Sequence, residues 1–379
     1  MPILDHAPRF SCAEAEHIAH VYYGLRVTAK PLPSERDQNF KLTPVNPSEP
    51  TAYVLKIANA TEQSETLEAQ NAALLTAAKA APCQRVVASQ NGDLICKVTD
   101  GTTSYLTRLL TWLPGVPLGL VKHQSPELLR HLGQTMGQVS AALADFDHAA
   151  AHRDFHWDVL NALRVIRTHK DEIALPDRRA LIEAFLRRFE QNLAPKLGEL
   201  RRGVIHGDAN DYNVVVDAGD SHDPFTRYTR VSGLLDFGDM VYSAVACEPA
   251  IAAAYALLAK AEPLQAVCDL VSGFHAVRPL TANELAVMWD LVCARLCMSV
   301  CHSAHQRKLR PSDEYLSISE RPAWDALFKL WAIHPRLAHY ALRDACGLPA
   351  HPDHEALVAT LRAHAAAGKF APVLGRPWA

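Results

Sequence analysis

Val204-Ile205-His206-Gly207-Asp208-Ala209-Asn210-Asp211-Tyr212-Asn213-Val214-Val215-Val216 reads as two β-type runs joined by a short polar loop that holds an aspartate and an asparagine. Apolar runs bounded by turn-forming residues are the pattern of buried strands. A second stretch of the same kind follows, Leu234-Leu235-Asp236-Phe237-Gly238-Asp239. Here too an aspartate leaves a buried strand, and the glycine permits a turn that other residues resist. Asp208, Asn213 and Asp236 are therefore expected to bring oxygen ligands or bases close together, and the chemistry is expected there.

Upstream, Ala52-Tyr53-Val54-Leu55-Lys56-Ile57-Ala58 is a β-rich run with one charge among apolar neighbours. A cation in such a strand requires a partner. Thr61 is expected to cap a helix that carries Leu67, Leu74, Leu75 and Ala78 at helical spacing as far as Pro82, with Glu68 beside its apolar face. Gln84–Gln90 and Leu94–Thr99 flank Asn91-Gly92-Asp93, a hairpin signal, and Tyr105–Leu113 is one more strand. After the turn-rich Pro114-Gly115-Val116-Pro117 the period becomes helical, over Pro126–Phe146, Asp177–Leu200, Glu248–Lys260, Thr281–His305 and Arg321–Arg343. The expected architecture is α+β. Residues 1–113 form a small antiparallel sheet with a helix, and residues 114–379 a larger, mainly helical lobe.

The 379 residues suit two lobes, and 49% hydrophobic with 21% charged residues is a globular composition. A net charge of −3 without a basic block argues against nucleic acid as a partner. The longest apolar stretch, Val241 to Ala261, contains Glu248 and Pro249 and reads as a buried helix rather than a membrane span. Nine scattered cysteines and an N-terminus without the charged-then-apolar pattern of a signal point to the cytoplasm. A small-molecule substrate is expected, and the oligomeric state stays open.

His-Gly-Asp, four residues and Asn (206–213), followed by Asp-Phe-Gly (236–238), resembles the aminoglycoside phosphotransferase and choline kinase superfamily, which has the two-lobed protein-kinase-like fold. The resemblance runs from about Ser34 to His305. It implies that Asp208 is the catalytic aspartate accepting the acceptor's proton, and that Asn213 and Asp236 hold Mg²⁺ against the phosphates of ATP or GTP. It also implies that Lys56 contacts the α- and β-phosphates and pairs with Glu68, Glu65 being the reserve. Residues 31–42 lack the glycines of a protein-kinase phosphate loop, but Ser34 and Arg36 fall where related metabolite kinases cradle the nucleotide.

Asp236–Met240, His206–Asn213, Leu55–Asn59 and Leu67–Gln70 are most similar to the hydroxylysine kinase branch. An amino-acid acceptor would require carboxylates for its ammonium, for which Asp211 and Glu248 are candidates, and a guanidinium for its carboxylate, for which Arg295 is the candidate; Asp239 is expected either to approach the substrate or metal or to cap the next segment. Kinases for an aminoglycoside, homoserine or another small alcohol remain alternatives. So does a nucleotide-binding pseudokinase, although Lys56, Asp208, Asn213 and Asp236 are all present. His152-Arg153-Asp154 copies a catalytic triplet, but Val159 stands where the asparagine would be. Cys293, Cys297 and Cys301 recur on one helical face and are expected to pack a core.

Overall fold

Ser11 and Glu14 close a reciprocal cap, the Ser11 N–H donating to the Glu14 carboxylate at 2.6 Å, and so begin helix α1 (Cys12–Tyr23). The computed structural model describes residues 7–366 except 35, 47, 49, 50, 224, 310–319 and 352. After α1 come β1 (Val27–Leu32), β2 (Gln38–Pro44), β3 (Tyr53–Ile57), α2 (Ser64–Ala77), β4 (Val86–Val87), β5 (Cys96–Thr99) and β6 (Ser104–Thr111). The strands form one antiparallel sheet in the order β1-β2-β3-β6-β4, with β5 also on β6. α1 closes one face of the sheet around Phe10, Ile18, Phe40, Leu42, Leu55, Ile57 and Leu109. The small residues of α2 (Ala69, Ala73, Ala77) pack into the larger core that continues through the rest of the chain.

Two expectations change here. β4 and β5 do not pair as a hairpin, because β6 offers both the same edge: Val86 and Val87 meet Leu110 and Leu109, and β5 takes Ser104 to Thr107. The Asn91-Gly92 turn joins consecutive stretches of one edge instead of folding a strand back on its neighbour. Thr61 does not cap α2, since its N–H is taken by the Asn59 side chain at 3.0 Å and the helix begins at Ser64.

The second part begins with β7 (Val116–Pro117) and the helices α3 (Pro126–Ala142), α4 (Ala162–His169) and α5 (Pro176–Asn192). Then come β8 (Arg202–Ile205), β9 (Val214–Asp217), β10 (Arg230–Leu234) and β11 (Val241–Ala244). β8 pairs with β11, whereas β9 pairs with β10 and β7. The chain therefore crosses between two small ladders twice, once through 206–213 and once through 235–240, and both crossings lie at the same end. This places the two acidic loops together.

α6 (Cys247–Ala256), α7 (Pro263–Val277), α8 (Ala282–Leu309), α9 (Glu320–Ala332), α10 (Pro335–Ala345) and α11 (His354–Ala366) complete the chain. The single helix expected over 321–343 is two, because Pro335 cannot donate within a helix and instead opens α10 behind the His334 cap. α8 is long and apolar enough to cross a membrane, but 89% of that apolar window is buried in the protein, where Cys293, Cys297 and Cys301 pack the core. The architecture is the α+β, two-lobed protein-kinase-like one.

Candidate active site

Gly207 adopts φ 80°, and a Cβ there would stand 2.8 Å from the Asp239 carbonyl oxygen. Only glycine lets the two crossing loops approach so closely. His206 fastens them: its Nε2–H donates to the Leu235 carbonyl at 2.8 Å and its Nδ1 accepts from the Asp208 N–H at 3.2 Å. Complete burial keeps this imidazole below its ordinary value, the Leu235 carbonyl opposing, so it stays neutral as that bonding pattern requires. Beneath the loop, Glu248 accepts the His206 N–H at 2.6 Å.

The Asp208 carboxylate accepts from Asn213 Nδ2 at 2.7 Å, from Asn210 Nδ2 at 2.9 Å and from Arg295 at 3.0 Å. Burial and the neighbouring Asp239 charge push its carboxyl above the usual range, and the Arg295 charge opposes them. Asp236 leaves β10 in the left-handed region, φ 58°. Its Oδ1 accepts from Lys56 Nζ at 2.9 Å and from the Gly238 N–H at 3.0 Å. Although burial works the other way, the Lys56 and Arg108 charges hold this carboxyl well below the usual range.

The structure brings Lys56, Asp208, Asn213 and Asp236 to one cleft and places several other candidates differently. Glu68 does not pair with Lys56: it is exposed on the outer side of α2 and accepts from Ser64 Oγ at 2.8 Å, and Glu65 is exposed as well. The reason is helical phase, since the face of α2 turned inward carries Gln70 and Asn71. Glu248 is fully buried under the loop it supports and cannot face an ammonium. Arg295 is 1% exposed and is not available to a carboxylate from outside. It donates to Asp208, to the Trp157 carbonyl at 2.9 Å and to Tyr255 Oη at 3.3 Å, and lies over the Trp157 ring. Arg36 and Asp239 pair with each other at 2.9 Å, tying the β1–β2 turn to the second loop, and Ser34 is exposed in that turn. Asp211 lies against Gly119, its carboxyl raised by burial, and has no ion-pair partner among the described residues.

Sequence reasoning missed three groups. Arg108, directly across from Lys56 in the β3–β6 register, is buried and donates to the side chains of Asn71, at 2.9 Å, and Gln70. It was visible as a lone charge in an apolar strand, the signal that singled out Lys56. Arg153, from the decoy triplet, donates to the Gly238 and Met240 carbonyls at 2.8 and 3.0 Å and braces the second loop, while Asp154 is exposed and paired with Arg164. Tyr255 and Trp157 flank Arg295 and carried no sequence signal.

The two loops leave oxygen donors of the kind that suits a hard divalent ion. Asn213 gives its Nδ2 to Asp208, which leaves its oxygen; Asp236 gives Oδ1 to Lys56, which leaves Oδ2, and 40% of its side chain is open. This set fits Mg²⁺. Elsewhere His169, Glu172 and His305 also lie close enough to share an ion, but Lys308 Nζ stands 3.5 Å from the other Glu172 oxygen and already balances that carboxylate.

The sequence profile of the phosphotransferase enzyme family matches residues 28–280. A hydroxylysine kinase of Mus musculus is 33% identical over 344 residues, covering 86% of this chain and 90% of that protein. Among solved structures, the microcompartment-associated aminopropanol kinase superposes with a TM-score of 0.62 at 16% identity, covering 89% of this chain and 99% of that one. Amicoumacin kinase hAmiN, in complex with AMP-PNP, Ca²⁺ and Ami, gives 0.61 at 15% identity, over 84% and 94%. With the two-loop cleft described above, the chain belongs to the phosphotransferase enzyme family and is a small-molecule kinase.

Proposed function

We propose that the protein transfers the γ-phosphate of ATP or GTP, with Mg²⁺, to the hydroxyl of 5-hydroxylysine. The observation that carries the choice of acceptor is the similarity to hydroxylysine kinases over 86% of the chain. In this reading residues 1–113 hold the nucleotide, and residues 114–379 carry catalysis and the acceptor. All nine cysteines are free, which suits a reducing compartment such as the cytoplasm.

Asp208 is the base in this scheme. As the acceptor oxygen bonds to the γ-phosphorus and the bond to the β-phosphate oxygen breaks, the hydroxyl proton passes to the Asp208 carboxylate and the nucleoside diphosphate leaves. Asn210, Asn213 and Arg295 fix the rotamer of that carboxylate before substrate arrives. Asn213 and Asp236 would hold Mg²⁺, whose chemistry when bound is to neutralise the charge of the phosphates. Lys56 is the phosphate contact on the sheet side, Arg36 and Ser34 line the turn above it, and Asp239 anchors Arg36. Asp211, beside Gly119 and without an ion-pair partner among the described residues, is the candidate for the acceptor's ammonium.

The test is nucleoside diphosphate release by purified protein with Mg²⁺ and either ATP or GTP, with and without 5-hydroxylysine. Release that depends on hydroxylysine is the expected result. No consumption above background with either nucleotide overturns the acceptor assignment, and a panel of homoserine, amino alcohols and aminoglycosides then separates another kinase from a pseudokinase.

A further inference from the structure

In the protein-kinase arrangement the strand lysine pairs with a helix glutamate. Here no carboxylate from α2 reaches Lys56, because Glu65 and Glu68 face outward and the inward positions carry two amides. A second buried cation stands beside it, Arg108, opposite Lys56 in the antiparallel register and 4% exposed. Residues paired in this way have neighbouring side chains. The oxygens that receive the Arg108 guanidinium belong to Asn71, at 2.9 Å, and Gln70. Amide oxygens satisfy its N–H groups without cancelling its charge. The anion paired to Lys56 is Asp236, at 2.9 Å, and the charges of Asp236, Asp37 and Glu62 also act on Arg108. Arg108 nevertheless has no carboxylate in hydrogen-bond contact among the described residues.

A buried cation held by neutral donors is costly unless an anion completes it. The nucleotide's phosphates are the anion the site receives. Building on the nucleotide reading above, we propose that Arg108, held by Gln70 and Asn71, is a second charge of this kinase that acts on the polyphosphate through the low-dielectric core beside Lys56, without leaving its amide partners, in a site that lacks the lysine–glutamate pair. Gln70 adds a mechanical link, since its Nε2 lies 3.4 Å from the Gly238 carbonyl oxygen in the turn that follows Asp236. α2 is thereby docked on the metal-side loop by an amide rather than by an ion pair.

The experiment measures dissociation constants for ADP, GDP, adenosine and guanosine by calorimetry in the presence of Mg²⁺, for the wild type, Arg108→Gln, Arg108→Lys and Asn71→Asp, with thermal unfolding as the check on folding. Asn71→Asp cancels the Arg108 charge without touching the Gly238 turn. Arg108→Gln and Asn71→Asp are expected to weaken diphosphate binding about tenfold or more, as loss of a nearby charge does at intermediate dielectric. Nucleoside binding should stay within about twofold, and Arg108→Lys should restore most of the diphosphate affinity. Equal losses for diphosphate and nucleoside, or unchanged diphosphate affinity in folded Asn71→Asp, would overturn the proposal and leave Arg108 a structural residue. If the wild type binds no nucleotide at all, the kinase reading falls first and this inference with it.

Discussion

Asp236 and Asp208 stand on opposite sides of one cleft, each at the end of a short buried strand, and their surroundings pull them apart. Asp236 faces the sheet lobe, where the Lys56 and Arg108 charges hold it well below the usual range against the effect of burial. Asp208 faces the helical lobe, where burial and the Asp239 charge raise it and Arg295 with the Asn210 amide oppose them. Two like residues with divergent environments are the signature of divided labour. One side keeps an anion permanently available for a cation. The other holds a carboxylate in a single rotamer where it can take up a proton.

The contrast is broken most directly by Asp208→Asn, which removes the proton acceptor while leaving the metal-side set whole. Turnover is expected to fall by about 10²–10⁴-fold, with nucleotide affinity within about threefold, read by steady-state kinetics and calorimetry. On the other side, Asp236→Asn should reverse the pattern, with metal-dependent nucleotide binding lost, about 10²-fold in the KM for nucleotide, because Lys56 keeps a partner but the divalent ion does not. Equal losses of binding in both variants would show that the two sides are not separate.

Arg295→Met tests how far the acceptor side depends on its buried counter-charge. Removing one partner of a buried pair costs roughly 3–5 kcal/mol, so urea unfolding should show a large stability loss alongside reduced turnover. A variant as stable as wild type would mean that water already reaches Asp208. Smaller is the effect of Glu248→Gln. Burial, opposed by the His206 and Gly207 N–H groups, raises the Glu248 carboxyl to about 7 from its ordinary 4.5. Between those values the native chain keeps a proton that the unfolded chain has lost, so this group makes stability fall as pH rises through that window and holds it lower above. Unfolding curves at pH 5, 6, 7 and 8 should show a shallower decline in Glu248→Gln. Last, Glu68→Ala should change nucleotide KM by less than about twofold, since its partner is Ser64 and not Lys56.

How far the site was legible follows from how each residue acts. Asp208, Asn213 and Asp236 act through a fixed spacing along the chain, at loops that short apolar strands announce, and they were readable as such. Lys56 was readable because one charge in a buried strand is anomalous, and the same anomaly at Arg108 passed unread. Glu68 misled because a helix repeats every 3.6 residues, and an error of two positions turns a carboxylate from the cleft to solvent. Arg295 was found as a charge on a core helix, but that it points at Asp208 rather than at a ligand depends on where α8 crosses the loop.

By itself, then, the sequence determined the lobe of small sheet followed by helices and the loop residues on which the chemistry is proposed to rest, because those follow from local periodicity and from spacings of a few residues; it did not show α1, β1 and β2, and it read Val241–Ala261 as one helix where β11 precedes α6. Only the tertiary structure decided the partners of the charges: Lys56 with Asp236, Arg108 with Gln70 and Asn71, Arg295 with Asp208, and Glu248 beneath His206. Those pairings join residues 37 to 180 positions apart. They are chosen by which faces the packing of the core turns inward, and no local pattern records that.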